Sequence, residues 1–337
     1  RYQMEIKVII ACIVALIVGL LIGYPILLLM RKLKAGQQIL SYVDAHKSKA
    51  GTPTMGGWIF ILAISICGLA FFYKSKEVVI AVLSMISYGA VGFLDDFLKI
   101  KHHENLGLKA YQKIIAQSGI AVILSIFCYF NGGFSKTIII PFTDLTFDIG
   151  WWIVPLVFML YIATTNAVNL LDGLDGLATS VSSVIFVSLA VILMIFGGKL
   201  AYSGNNLAAD SIYGLAGLSA VTVGGLLAFL CYNGFPAKIF MGDTGSLALG
   251  GLMASIFAFS GELLLIFILG LMLILTCVSV IIQVLYFKAT KGKRVWLMTP
   301  LHHHYQYKGV HESKITVCYT VITLVCGLIC IISSIMY

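Results

Sequence analysis

Five short segments concentrate the side chains that could do chemistry. In FLDDFLKIK (93–101) two adjacent carboxylates, Asp95 and Asp96, are followed by Lys99 and Lys101. Neighbouring acids disfavour each other's charge unless a cation relieves them, so Mg²⁺ or lysine is expected beside the pair. The plain alternative is a solvated loop start. In TTNAVNLLDGLDGLA (164–178) Asn166, Asn169, Asp172 and Asp175 recur every three residues, and neighbours differ by about 60° around a helix of 3.6 residues per turn. Four such groups spread over half the circumference, so Gly173 and Gly176 are expected to turn the chain and let them converge on one cavity. An acid inside a bilayer costs roughly 2.5–3.5 kcal/mol, which demands partners. The alternative is an interhelical turn with capping acids.

The segment NGFPAKIFMGDTGSLALGG (233–251) sets Asp243 between Gly242 and Gly245, with Thr244 and Ser246 opening the next helix. A helix N-terminus offers N–H groups and a positive dipole end to a phosphate, and an acid there would hold a divalent cation. Phe240 could stack on a flat base or simply pack. PLHHHYQYKG (300–309) carries three consecutive histidines. They cannot all face one way and lack the i, i+4 geometry of a helical zinc site, so they read as donors to an anionic ligand, with zinc as the rival. HKSKAGTPTMGG (46–57) sets Lys47 and Lys49 beside a glycine-rich helix entry. The lysines are candidates for a diphosphate, and Gly56 and Gly57 for tight helix contact.

These segments must be held by a scaffold in hydrocarbon. Of 337 residues 60% are hydrophobic and 11% charged, with a mean hydropathy of +1.01, against roughly 25% charged in a soluble domain. A water-soluble globule is excluded, and so is an outer-membrane barrel, whose strands alternate apolar and polar residues. Apolar runs between charges and turns predict ten helical spans at about 8–30, 57–73, 78–94, 114–130, 151–169, 177–196, 212–230, 246–260, 262–287 and 315–336. The ninth is longer than a straight crossing needs and contains Gly270, so it is expected to be tilted, kinked or broken. An even number puts both termini on one side.

Basic residues then orient the bundle. Loops 31–56, 95–113, 170–176, 231–245 and 288–314 hold 16 of the 22 Lys and Arg, which makes them cytoplasmic. All seven histidines fall in the same loops, so the chemistry is expected at the cytoplasmic face. The +8 charge therefore reports topology, and no nucleic-acid partner is expected. The eight scattered cysteines show no metal spacing and read as reduced and packed. On the opposite side, 131–150 is β-rich with Pro141 and predicts a short external hairpin, and 199–211 predicts a surface loop or short helix. The first span has no cleavage site after it and reads as retained. Met4 resembles a native start, with 1–3 as a leading remnant. The whole, 1–337, reads as one integral membrane domain.

The motifs GTPTMGG (51–57), FLDDFLK (93–99), NAVNLLDGLDGLA (166–178), FMGDTGSLALGG (240–251) and PLHHHYQYKG (300–309), in this order and spacing, resemble those of the phospho-N-acetylmuramoyl-pentapeptide transferases. These are also called translocase I and belong to the polyprenyl-phosphate N-acetylhexosamine-1-phosphate transferase superfamily. GTPTMGG with the triple histidine favours this group over the N-acetylglucosamine-1-phosphate transferases, which share the aspartates. The resemblance implies ten spans with external termini in a bacterial cytoplasmic membrane. It implies transfer of phospho-N-acetylmuramoyl-pentapeptide from UDP-MurNAc-pentapeptide to undecaprenyl phosphate, giving lipid I and UMP in peptidoglycan synthesis, with Mg²⁺ required. By motif, Asp243 resembles the Mg²⁺ ligand, and Asp95 and Asp96 the acid pair at the lipid phosphate. Asn166, Asn169, Asp172, Asp175, Phe240, Gln283, His302 and His303 resemble residues around the nucleotide and diphosphate, with His302 also among the catalytic set. Lys49, Lys99 and Lys113 resemble the essential basic residues.

Two anionic substrates repel, so positioning and charge neutralisation are expected to carry the catalysis. A phosphate monoester with its second pKa near roughly 6 is already mostly dianionic at neutral pH. Asp95 is therefore expected to orient groups or metal more than to remove a proton; direct transfer and a covalent aspartyl intermediate both stay open. The rivals are a nucleotide-sugar transporter, whose polar groups would lie at the bilayer midplane, and a non-catalytic lipid-binding scaffold. Apolar faces of the first and tenth spans are available for a homodimer.

Overall fold

The computed structural model describes residues 2–33, 51–102, 107–131, 133–143 and 145–336. Lys47 and Lys49 lie outside them. Long apolar runs fold as helices because a backbone in hydrocarbon must satisfy its own hydrogen bonds. The helices are α1 (Tyr2–Lys32), α2 (Trp58–Phe72), α3 (Lys76–His102), α4 (Ala110–Asn131), α5 (Ile153–Leu171), α6 (Leu177–Tyr202), α7 (Asn206–Asn233), α8 (Gly242–Ser260), α9 (Ile266–Leu269), α10 (Leu271–Ala289), α11 (Leu301–Tyr307) and α12 (Glu312–Met336). Among the described residues eight are long and apolar enough to cross a membrane, and α2 is a shorter apolar helix. Together with α8 they correspond to the ten expected spans. The protein is an all-α polytopic membrane protein.

The layering follows composition. In α8 every residue from Thr244 to Ser260 is buried, and α7 is buried along most of its length. These two helices, rich in Gly, Ala and Ser, form the centre, where small residues let backbones approach without lipid between them. Helices α1, α4, α10 and α12 bury about a third or less of their apolar stretch and face outward. The ninth span is broken, as its length and Gly270 suggested. A 3₁₀ turn at Leu263–Leu265 leads into α9, which stops at Gly270 before α10 begins.

Contacts at helix ends sort the bundle into two faces. At one, Lys7 Nζ at the start of α1 lies 4.8 Å from the Phe72 ring at the end of α2, and Lys76 Nζ donates to Asn131 O (3.1 Å), joining α3 to α4. Here sits the expected hairpin, β1 (Thr137–Ile139) antiparallel to β2 (Thr146–Asp148), with Thr137 opposite Asp148 and Ile139 opposite Thr146. Ile139 N donates to Gly261 O after α8, and Phe142 N to Ser333 Oγ near the end of α12. The start of α1 and the end of α12 therefore share this face. The segment 199–211 is not a surface loop or short helix of its own. It continues α6 to Tyr202 and opens α7 at Asn206, because Asn205 caps α7 by accepting from Ala208 N (3.4 Å), leaving only 203–205 between the two helices.

Candidate active site

At the opposite face α3, α4, α5 and α8 present their ends to one another. Near its end α3 carries Asp95 and Asp96, both buried, and α8 begins against them. This approach depends on Gly92, since a Cβ there would run into the Asp243 carbonyl. Carboxylate oxygens of Asp95, Asp96 and Asp243 lie within 4.8 Å of one another. Three acids at that spacing repel strongly in a medium of low dielectric, and lysines answer the charge. Lys99 Nζ sits 2.6 Å from Asp95 Oδ2 and 2.8 Å from Asp243 Oδ2, and Lys113 Nζ from α4 sits 2.9 Å from the same Asp243 oxygen. Asn169 of α5 donates to the other Asp243 oxygen and to Ser246 Oγ (2.8 Å).

The two adjacent acids differ in their partners. Asp95 accepts from Leu108 N (2.8 Å) and pairs with Lys99. Asp96 accepts from Thr244 N (2.9 Å), Thr244 Oγ1 (2.8 Å) and Asp243 N (3.3 Å), so it caps α8 from a different helix. This corrects the expectation that the N-terminus of α8 is open to a phosphate: two of its first N–H groups already serve Asp96.

Past the end of α5 the chain turns through Asp172 to Gly176, whose φ of +69° opens α6. Asp172 is pushed up to about 8 by burial first and then by the charges of Asp243, Asp96 and Asp175, while a backbone bond from Gly242 opposes the rise. Asp175 is turned elsewhere: its Oδ2 accepts from Ala237 N (2.9 Å), which ties down the loop before α8. Gly173 faces the histidines, and a Cβ there would strike His302 Nε2 and come within 3.0 Å of His303 Nε2. His302 is fully buried, and among the described residues neither ring nitrogen has a hydrogen-bond partner. Burial first, and then the neighbouring His303, hold it well below its ordinary pKa, so it is neutral here. His303 Nδ1 pairs with Gln306 Oε1 (3.1 Å) and His304 Nδ1 accepts from Leu297 N (3.2 Å), so the three rings do diverge.

The remaining site candidates brace the loops. Phe240 N donates to Pro53 O and its carbonyl accepts from Gly56 N (both 2.8 Å), and Gly57 N reaches Met241 O (3.1 Å). The GTPTMGG segment thus binds the entry to α8 through its backbone. Gln283 on α10 accepts from Val295 N and Trp296 N (both 3.1 Å), fixing the loop ahead of α11. Asn166 donates to Ile162 O and to Gln117 Oε1 (both 2.8 Å), one turn deeper than Asn169.

Sequence reading missed Gln117. It is fully buried on α4, one turn from Lys113, and among the described residues its Nε2 has no partner. A lone amide in an apolar span was the available signal. The cluster suits a hard divalent cation: Asp95 and Asp243 from two helices would supply oxygen ligands, with the Asp96 charge beside them, and lysine ammonium groups already lie where positive charge is required.

The "Glycosyl transferase family 4" family matches residues 78–261, and signature 1 of phospho-N-acetylmuramoyl-pentapeptide-transferase matches 49–61. Among curated proteins, the phospho-N-acetylmuramoyl-pentapeptide-transferase of Clostridium novyi (strain NT) is 41% identical over 314 residues, covering 92% of each chain. That of Clostridium botulinum (strain Eklund 17B / Type B) is 44% identical over 309 residues, 91% of this chain and 89% of the relative. The enzyme of Clostridioides difficile (strain 630) is 40% identical over 306 residues, 90% and 91% respectively. Matched over nine-tenths of its length by such relatives and over its site-bearing helices by the family, the chain belongs to the phospho-N-acetylmuramoyl-pentapeptide-transferases of glycosyl transferase family 4.

Proposed function

We infer that the protein transfers phospho-N-acetylmuramoyl-pentapeptide from UDP-MurNAc-pentapeptide to undecaprenyl phosphate, releasing UMP and forming lipid I. The observation that carries this is the junction of Asp95, Asp96 and Asp243 with Lys99 and Lys113 at one face of the bundle. A lipid phosphate can stay at the bilayer surface there while a nucleotide arrives from water. The excess of basic residues in the loops of that face supports a cytoplasmic orientation, and the placement of the acids at span ends argues against a transporter, which would hold them at the midplane.

In this reading Asp243 is the principal ligand of Mg²⁺, with Asp95 beside it. The bound cation would neutralise phosphate charge and help hold the attacking and leaving oxygens in line. Lys99 and Lys113, released from Asp243 in part, turn their ammonium groups to phosphate oxygens. Asn169 keeps the Asp243 carboxylate in one orientation through its second oxygen. Asp96 positions rather than reacts, because its oxygens are engaged by the start of α8. Neutral His302 offers an N–H to the diphosphate beside Gly173, Phe240 and His303 serve the nucleotide side, and Lys49, outside the described residues, is a further candidate for the diphosphate.

The test is UMP release from UDP-MurNAc-pentapeptide by the purified protein. Release is expected only with both Mg²⁺ and undecaprenyl phosphate present. Movement of the nucleotide sugar across a vesicle membrane without turnover would overturn the assignment.

A further inference from the structure

A partly open pocket with mixed polar and apolar walls lies at the hairpin face, at the other end of the bundle from the acid cluster. It is a cavity of about 140 Å³ between the hairpin, the end of α6, the turn after α8 and the end of α12, lined among others by Phe134, Phe142, Phe196, Lys199, Glu262 and Ser334. That is room for a small polar group. Glu262 is buried, and among the described residues nothing donates a hydrogen bond to its carboxylate or pairs with it within ion-pair distance. The carboxylate is thus left to be satisfied from the pocket side. Burial pushes it up to about 7, with the Lys199 ammonium opposing.

The enclosure is built. Phe134 and Phe196 meet edge to face at 4.8 Å, Ile139 N is tied to Gly261 O, and Phe142 N is held by Ser333 Oγ. Its aromatic rim argues for the depth of lipid headgroups. Trp151, Trp152, Phe130 and Phe147 are all at least half exposed around the hairpin, and exposed Trp rings gather at the membrane–water boundary.

A cavity that offers one buried acid, one base, hydroxyls and aromatic walls asks for a small zwitterion with a short apolar link. We propose that this cavity binds the headgroup of an ethanolamine phospholipid in the leaflet of the hairpin face, with Glu262 taking the ammonium and Lys199 the phosphate. A primary ammonium has three N–H donors, at least one of which can reach the acid; a choline headgroup, being trimethylated, has none. The site is independent of the transfer reaction, whose residues sit at the other face.

The experiment uses the full chain in phosphatidylglycerol nanodiscs doped with equal amounts of ethanolamine or choline phospholipid of matched chains, with retained lipid read by native mass spectrometry. Wild type is expected to retain the ethanolamine lipid ~10-fold over the choline lipid, the size of one charge-assisted hydrogen bond set. Glu262→Gln is expected to reduce the preference to about twofold or less at unchanged UMP release, and Lys199→Met to weaken retention of both lipids. Free glycerophosphoethanolamine is expected to displace the retained lipid. Equal retention of the two lipids by wild type, a preference that survives Glu262→Gln, or no displacement by the free headgroup would each overturn the proposal. Should Glu262→Gln lose UMP release, Lys199→Met with the displacement assay decides in its place.

Discussion

At the level of single residues, the clustered acids differ in their partners. Asp243 carries both lysines and the Asn169 amide, which makes it the group whose charge the cluster is built around. Asp243→Asn is expected to lower UMP release by ~10²–10³-fold or more, the usual cost of removing one preorganised electrostatic contact, and to abolish the saturable dependence on Mg²⁺. Assays across Mg²⁺ concentration check this, and unchanged activity would remove the metal assignment. Asp96 differs because it closes the start of α8. Asp96→Asn is expected to cost about 0.5–2 kcal/mol of stability, the range for a lost helix cap, with Thr244→Ala moving the same way. Denaturation in detergent reads this, and a variant as stable as wild type would show the cap to be idle.

His302 gives the pH dependence. Its folded pKa is depressed by burial, whereas an exposed histidine titrates near roughly 6.5. The folded state therefore keeps it neutral, a contribution fully present above about pH 6.5 and lost as pH falls below it, at up to ~1.4 kcal/mol per pH unit. Wild type is expected to lose stability on acidification below about pH 6.5, and His302→Asn to lose the slope belonging to this group. Thermal unfolding of both from pH 7.5 to 5 checks it; parallel curves would mean that His302 is charged or exposed.

At the level of elements, the site depends on how closely α3 and α8 meet. Gly92 has no room for a Cβ beside the Asp243 carbonyl, while Gly119 on α4 has open space around it. Gly92→Ala is expected to push the start of α8 away from Asp95 and Lys99, lowering UMP release by at least ~10-fold, since ångström misplacements at a reacting centre are expensive. Gly119→Ala is expected to leave activity unchanged. Equal activities would mean that the α3–α8 spacing is not critical. Some of this was legible: the motif glycines announce close approach, and Gly56 and Gly57 do face the entry to α8. Gln117 was not, because an amide in an apolar run carries no spacing signal until α4 and α5 are set side by side.

At the level of the whole molecule, all the described site residues gather at one face and the hairpin at the other. Single cysteines in a cysteine-free background report the sides. Lys308→Cys is expected to react with a membrane-impermeant maleimide only from the cytoplasmic side, and Ser203→Cys, at an exposed position beyond α6, only from outside. Labelling of both from one side would overturn the orientation.

Composition and hydropathy alone established an all-helical polytopic membrane protein whose ninth apolar run had to tilt, kink or break, and loop charge gave the motifs an expected common side. These are sums along a chain that each segment satisfies by itself, since a helix in lipid closes its own backbone hydrogen bonds and loop charge is counted loop by loop. Only the tertiary structure decided which acid meets the lysines and which caps α8, why Gly173 lies against His302, and that Glu262 and Lys199 share a cavity. Those pairings join positions as far apart as 148 residues for Asp96 and Thr244. They depend on the rotation of one helix against another to within an ångström, a quantity that no single segment contains.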